Sequence, residues 1–240
     1  MAALCALVLP AATGCARSFI VKSPAPEEIE TTLFLIGDAG EPDPRQPSIS
    51  LDSMRRQAAE APERSIVVFL GDNVYPDGVP LDSTLTWADS RRRLTAQIDA
   101  VPPGARGIFL PGNHDWSGEG AYGLYAVRLQ EKMINSLAHG RDIRMLPGNG
   151  CPGPVAVDTG RLRFIALDTQ WWLHEGPRPL DPTSSCGGTQ EQYSSGKLDR
   201  LIVNKVKLEL AAVDADPLRI AGVGKDESSK PCNERIVMAY

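Results

Sequence analysis

Three apolar runs, each ending in a glycine followed by an oxygen-bearing side chain, constrain this chain more than any other feature. The runs occupy residues 32–36, 66–70 and 108–110, and the pairs that end them are Gly37-Asp38, Gly71-Asp72 and Gly112-Asn113. Short runs of Ile, Val, Leu and Phe between turn residues are typical of buried strands. Residues at helical spacing separate the runs, so the sequence predicts an α/β fold in which helices pack on a sheet.

Helical periodicity recurs three times between and after these strands. Its apolar positions are Leu51, Met54 and Ala58; then Trp87, Leu94 and Ile98; then Tyr122, Tyr125, Leu129 and Met133. His139-Gly140 is a typical helix C-cap and closes the third helix. Two further strands are predicted at residues 155–157 and 163–167, and the second ends at Asp168.

Composition bounds the class of protein. The chain has 240 residues, of which 42% are hydrophobic and 23% are charged, which is enough for one large domain or two small ones. The formal net charge is -5 and the pI about 5.3, so there is no electrostatic case for binding nucleic acid or an anionic membrane surface. The one basic run, Arg91-Arg92-Arg93, lies in a helical pattern and is interpreted as a solvated face.

The N-terminal segment predicts export. Residues 2–12 are almost wholly apolar but too short to span a bilayer. They lead into Ala12-Thr13-Gly14-Cys15, which resembles a bacterial lipoprotein cleavage box with Cys15 as the lipidated residue. The expectation is a protein of the bacterial cell envelope, lipid-anchored or periplasmic. A buried N-terminal helix is the alternative.

Cysteine spacing argues against a zinc site built from thiolates. Five cysteines are present and none forms a C-x-x-C pair. Cys151 and Cys186 each lie in a Pro/Gly/Ser-rich loop and could pair in an exported protein, or they could be two unrelated thiols.

The three strand ends predict a shared metal site. In open α/β sheets, ligands bind at the carboxyl ends of the strands, where Asp38, Asp72 and Asn113 would meet. Glycine allows the sharp turn that aims each side chain. Singly, each residue is more simply explained as a turn or a helix cap. Three such ends in order favour the metal site.

Neighbouring residues add to this site. Tyr75 lies three residues after Asp72, and its phenolate would be a hard oxygen donor suited to iron. His114, next to Asn113, is placed to meet a substrate rather than a metal. Asp115 would either orient His114 or cap the following helix, with the cap favoured. The segment from Asp168 to Trp172 would line the pocket or close an edge of the core, and a substrate contact by His174 is the weakest of these hypotheses.

The motifs GDAG, GDNVY and GNHD, in this order, resemble those of the calcineurin-like metallophosphoesterases, and the tyrosine in GDNVY is nearest to the purple acid phosphatase branch. The resemblance runs from about Thr31 to about Gly188. It implies a β-sandwich flanked by helices, in four layers (αββα), and hydrolysis of phosphate monoesters with two metal ions, Fe paired with Fe, Zn or Mn.

The resemblance also implies a role for each matched residue. Asp38 and Tyr75 would bind the first metal, Asp72 would bridge both metals, and Asn113 would bind the second. His114 would contact the phosphate and protonate or stabilise the leaving alkoxide.

The chain departs from the family in its later half. A His-His-Pro-like segment and a Gly-His-x-His segment are missing, and the only histidines are His114, His139 and His174. The first metal is then short of one nitrogen ligand and the second short of two, so weak metal binding and little activity are expected.

Two function classes therefore remain open. One is a metal-dependent phosphoesterase, and the other is a non-catalytic exported lipoprotein or a truncated gene product that retains part of the fold. The predicted organisation is a signal segment at 1–15, a linker at 16–30, the N-terminal portion of a metallophosphoesterase domain at 31–200, and an atypical tail at 201–240.

Overall fold

The computed structural model describes residues 25–81, 85–118, 120–159, 162–176, 178, 186, 207 and 236–239. Cys15 and the predicted signal segment lie outside these residues. The helices are α1 (Ile49–Ala58), α2 (Leu85–Ala100), α3 (Gly123–Ala138) and α4 (Gln170–Leu173). The strands are β1 (Thr32–Ile36), β2 (Ser65–Leu70), β3 (Arg106–Leu110), β4 (Ile143–Met145), β5 (Val155–Thr159), β6 (Leu162–Leu167) and β7 (Ile236–Ala239).

The first sheet is parallel throughout, with strands in the order β1-β2-β3-β4. All three predicted strand-helix units are present, so the α/β class is confirmed. The register aligns Ile36 with Phe69 and Leu70 with Leu110, which brings the carboxyl ends of three strands to one edge. Strand β4 was not predicted because its three residues, Ile-Arg-Met, are too few to show a period.

Strand order explains where the helices lie. Parallel strands joined by right-handed crossovers in one continuous direction place every crossover helix on the same face of the sheet. On that face, Val67, Phe69 and Phe109 share a core with α1, α2 and α3. The side chain of Ser48 accepts the N–H of Leu51 and caps the start of α1, and the predicted apolar positions Leu51, Met54 and Ala58 are buried.

The other face of this sheet packs against a second sheet. That sheet has the order β5-β6-β7, with β5 antiparallel and β7 parallel to β6. Ile66, Val68 and Ile108 of the first sheet share a separate core with Phe164 and Ala166 of β6. The described residues therefore form a helical layer over two stacked sheets. Strand β7 falls within the predicted atypical tail at 201–240, where no strand was predicted.

One detail of helix α3 differs from expectation. Helix α3 buries Met133 as predicted, with Leu124, Val127 and Ile134, whereas Tyr122 and Tyr125 are exposed, so the helix is right but its two predicted tyrosines do not belong to the buried face. His139 ends it as expected, in the left-handed conformation. Among the described helices, none has the length and apolar character needed to cross a membrane.

Candidate functional site

The site is built on loops at the carboxyl edge of the parallel sheet, and two aspartates hold an unusual backbone there. Asp38 and Asp72 have φ of 54° and 52°, in the left-handed region that side chains other than glycine rarely occupy. The sharp turn at each strand end was expected from the preceding glycine. Gly71 does have positive φ, but each turn also needs its aspartate in the left-handed conformation.

Tyr75 joins the two aspartates. Its hydroxyl lies 2.8 Å from Asp38 Oδ1 and 3.1 Å from Asp72 Oδ2. Burial, the hydrogen bonds to Asp38 and Asp72, and the charges of both carboxylates raise the pKa of Tyr75 well above its ordinary value. The phenol is therefore protonated here, and three of the four predicted ligands converge on one point.

His114 belongs to the same cluster. Its backbone N–H donates to Asp72 Oδ1 at 3.1 Å, and its ring lies against that of Tyr75 with 4.3 Å between centroids. The ring Nδ1 contacts the carbonyl of Pro76, which accepts but cannot donate. This contact places the proton on Nδ1 and leaves Nε2 as the nitrogen that can exchange a proton.

Asn113, the fourth predicted ligand, is exposed at the same edge of the sheet. The backbone carbonyl of Asn113 accepts the N–H of Gly118 at 3.0 Å, and this hydrogen bond folds the loop after β3 back on itself. Close packing of this loop on Asp72 depends on Gly112, because a Cβ there would overlap the Asp72 carboxylate.

Asp115 neither orients His114 nor caps a helix, so both sequence hypotheses for it are wrong. Its side chain is fully buried and accepts from Gly112 N at 2.8 Å, Asn73 N at 3.0 Å, Val74 N at 3.1 Å and Asn73 Nδ2 at 2.9 Å. Burial raises its pKa to about 6. Asp115 thus ties the loop after β3 to the loop after β2, and its sequence signal, an acid after a histidine, does not reveal that role.

The segment from Asp168 to Trp172 closes the core instead of lining a pocket. Asp168 is fully buried and accepts from Trp116 Nε1 at 2.9 Å and from Trp171 N at 3.1 Å. Burial raises the pKa of Asp168 to about 7. The Trp171 side chain is also buried. Since Trp116 follows β3 and Asp168 follows β6, this hydrogen bond joins the two sheets next to the site.

The two remaining histidines do not join the donor cluster. His174 is 1% exposed and packs on Trp116 with 4.7 Å between ring centroids, which leaves it no surface for a substrate. His139 ends α3, and α3 runs back from the carboxyl edge of β3 to the start of β4, so His139 lies at the opposite edge of the sheet.

Within the residues that the structure describes, no group of three or more His, Cys, Asp or Glu side chains could hold a metal ion. The cluster instead combines two carboxylates with a phenol. No family model matches the sequence, and neither a curated protein nor a solved structure matches the chain.

Proposed function

We propose that this chain is a calcineurin-like metallophosphoesterase of the purple acid phosphatase type, which hydrolyses phosphate monoesters with metal ions bound at the carboxyl edge of its parallel sheet. The observation that carries the proposal is the Tyr75 hydroxyl shared by Asp38 and Asp72. Three oxygen donors from two loops converge there. The helical layer over two stacked sheets fits three layers of the proposed αββα sandwich.

The donors suit a hard cation. Carboxylate and phenolate oxygens prefer high-charge metals such as ferric iron, and carboxylates also suit manganese. Burial raises the pKa of Tyr75, and the hydrogen bonds and charges of Asp38 and Asp72 raise it further; the negative potential of these carboxylates would also attract a cation. A metal bound here would displace the phenolic proton, so binding should release protons.

Each matched residue has a role in the proposed reaction. Asp38 and Tyr75 would hold the first metal, Asp72 would bridge, and Asn113 would hold the second. The metals, when bound, would supply charge neutralisation for the phosphoryl group and an activated water. His114, with Nδ1 directed to the Pro76 carbonyl, would use Nε2 to protonate the leaving alkoxide.

The placement of His139 and His174 favours a second candidate function. Neither lies with the oxygen donors, so among the described residues His114 is the one histidine in the cluster, and two tight sites would need further nitrogen ligands. A non-catalytic exported lipoprotein that retains part of the phosphoesterase fold would have this arrangement. The Cys151–Cys186 disulfide fits the proposed cell-envelope location, because such bonds persist in oxidising compartments.

Metal content and turnover test the proposal together. Protein dialysed against Fe³⁺ or Mn²⁺ should retain metal in substoichiometric amounts, and Tyr75→Phe should lower that amount. Tyr125→Phe is the matched control, because Tyr125 is an exposed tyrosine on α3. Hydrolysis of an aryl phosphate monoester should be weak in the parent protein, absent in Asp72→Ala, and reduced roughly 10²–10⁴-fold in His114→Ala.

The outcomes separate the two candidates. Metal retention that depends on Tyr75 without any turnover would favour the non-catalytic protein. Turnover that persists unchanged in Asp72→Ala would rule out the metal mechanism.

A further inference from the structure

We propose that Arg93 and Gln97, one turn apart on α2, are positioning residues that set the separation between the Asp38 and Asp72 loops. This inference rests on the proposed function for its purpose, but its geometry is independent of any metal. Neither side chain belongs to the donor cluster. Each instead binds a main-chain carbonyl in one of the two loops.

Arg93 holds the first loop at the carbonyl of Gly40, two residues after Asp38. Its Nη1 donates to Gly40 O at 2.8 Å, while its Nε pairs with Asp89 at 2.7 Å. The same carbonyl also faces the Tyr75 N–H at 3.4 Å. The Arg93 side chain is only 12% exposed, so water competes little for this contact. The carbonyl of Gly40 is therefore the point at which α2, the Asp38 loop and Tyr75 meet.

Gln97 holds the second loop. It is fully buried, and its Nε2 donates to the carbonyl of Asn73 at 2.8 Å, next to Asp72. Asn73 in turn donates to Leu110 O at 2.7 Å, which connects this loop to β3. One face of α2 therefore fixes both loops relative to each other.

The loops are packed so closely that a small movement at α2 must reach the donors. A Cβ on Gly40 would overlap the backbone of residues 72–74, so the two loops are in direct contact at that point, with no room for a side chain between them. The Tyr75 hydroxyl, carried by the second loop, contacts Asp38 of the first at 2.8 Å. A displacement of about 1 Å is large for a hydrogen bond of this kind.

The interpretation of Arg91-Arg92-Arg93 as a solvated face is correct only for Arg91. Arg92 pairs with Asp89 and donates to Pro42 O at 3.1 Å, farther along the first loop. Arg91 is exposed. Arg91→Ala is therefore a matched control for Arg93→Ala, because it makes the same substitution and the same charge change on the same helix.

The experiment compares Arg93→Ala, Arg93→Lys, Gln97→Met and Arg91→Ala. NMR order parameters of the metal-free proteins should fall from about 0.85 to below about 0.6 at residues 38–41 in Arg93→Ala and at residues 72–74 in Gln97→Met. Arg91→Ala should match the parent protein. Calorimetric titration with Mn²⁺ alone should show affinity roughly 10- to 100-fold weaker in Arg93→Ala, with partial recovery in Arg93→Lys, which keeps a charged donor.

Each result decides the matter. Residues 38–41 as rigid in Arg93→Ala as in Arg91→Ala would overturn the positioning role of Arg93, and residues 72–74 as rigid in Gln97→Met as in the parent protein would overturn that of Gln97, whatever the metal titration gives. If the parent protein binds no Mn²⁺, the proposed function fails at this site, while the order parameters still decide whether α2 positions the loops. If Gln97→Met does not fold, the Arg93 variants carry the test alone.

Discussion

Asp38 and Asp72 occupy the same left-handed conformation at the ends of neighbouring strands, and each does so at a cost. For a residue with a Cβ this conformation is unfavourable by roughly 1–2 kcal/mol. Aspartate accepts it more readily than most residues. Strain of this kind persists only where the surroundings hold it, and it concentrates at functional sites. The hydrogen bonds from Tyr75 and His114 provide that hold.

Gly40→Ala should damage the site, whereas Gly37→Ala should not. The new Cβ at Gly40 would overlap the loop after β2, while at Gly37 the nearest atom is Leu70 Cβ at 4.0 Å. Overpacking of this kind typically costs about 1–3 kcal/mol. Urea denaturation should show a loss in that range for Gly40→Ala and less than about 0.5 kcal/mol for Gly37→Ala. Equal stability of the two variants would contradict the close approach of the loops.

Asp168 should make the protein less stable as pH rises from about 4 to about 7. Its pKa is raised by burial from 3.8 to about 7 in the folded protein, so across this window the folded state keeps a proton that the unfolded state has released. The state that binds more protons is favoured at low pH, and this contribution is lost as pH rises through the folded pKa. Asp115, with its pKa raised to about 6, contributes with the same sign.

The measurement is thermal unfolding as a function of pH. Asp168→Asn cannot titrate, so its stability should vary less between pH 4 and pH 7 than that of the parent protein. Asp52→Asn, on the exposed side of α1, is the control and should leave the profile unchanged. An identical profile for Asp168→Asn would show that Asp168 is charged throughout.

At the scale of elements, the sequence identified what repeats locally and missed what is short or set by tertiary packing. Strand β1 was predicted to the residue, and β2 and β3 to within two residues, because short continuous runs of Ile, Val, Leu and Phe between turn residues are distinctive. Strand β4 has three residues, and β7 gains its partner from β6, which lies about seventy residues earlier, so neither has a local signal of its own.

Helix α3 shows that helical spacing alone does not determine which of its residues are buried. Ile134 is fully buried, whereas Tyr125 is 56% exposed. Ile134→Ala should lower the free energy of unfolding by about 2–5 kcal/mol. Tyr125→Ala should change it by no more than about 0.5 kcal/mol. Chemical denaturation of both variants measures the difference, and a larger loss for Tyr125→Ala would contradict the exposed position of Tyr125.

The same distinction holds for the site. Asp38, Asp72, Tyr75 and His114 follow strand ends in a recognisable order, and the structure brings them together. The supporting residues Asp115, Arg93 and Gln97 act across 24 to 53 residues of sequence, through carbonyl and amide groups that every residue carries. Nothing in a local pattern distinguishes such a residue from a helix cap or a solvated charge.

At the scale of the whole molecule, the Cys151–Cys186 disulfide fastens the loop that follows β4 to a segment that follows β6. It closes a loop across a sequence separation of 35, for which loss of the bond typically costs about 2–4 kcal/mol. The double variant Cys151→Ser with Cys186→Ser should unfold at lower urea concentration than the parent protein. Reducing agent should bring the parent to the same midpoint and leave the double variant unchanged. A parent protein insensitive to reductant would show that the bond does not contribute.

The hydrogen bonds of Asp115 determine which residues would have to be moved together to build this site in another protein. A graft that copied only the donors and His114 would leave the N–H groups of Asn73 and Val74 without the acceptor that they share in this chain. An engineer would therefore have to transplant the loops after β2 and β3 as one cassette, with Asp115 inside it. Its neighbour Trp116 would require a buried acceptor at the equivalent of Asp168, so only a host with a second sheet beneath the first could receive it.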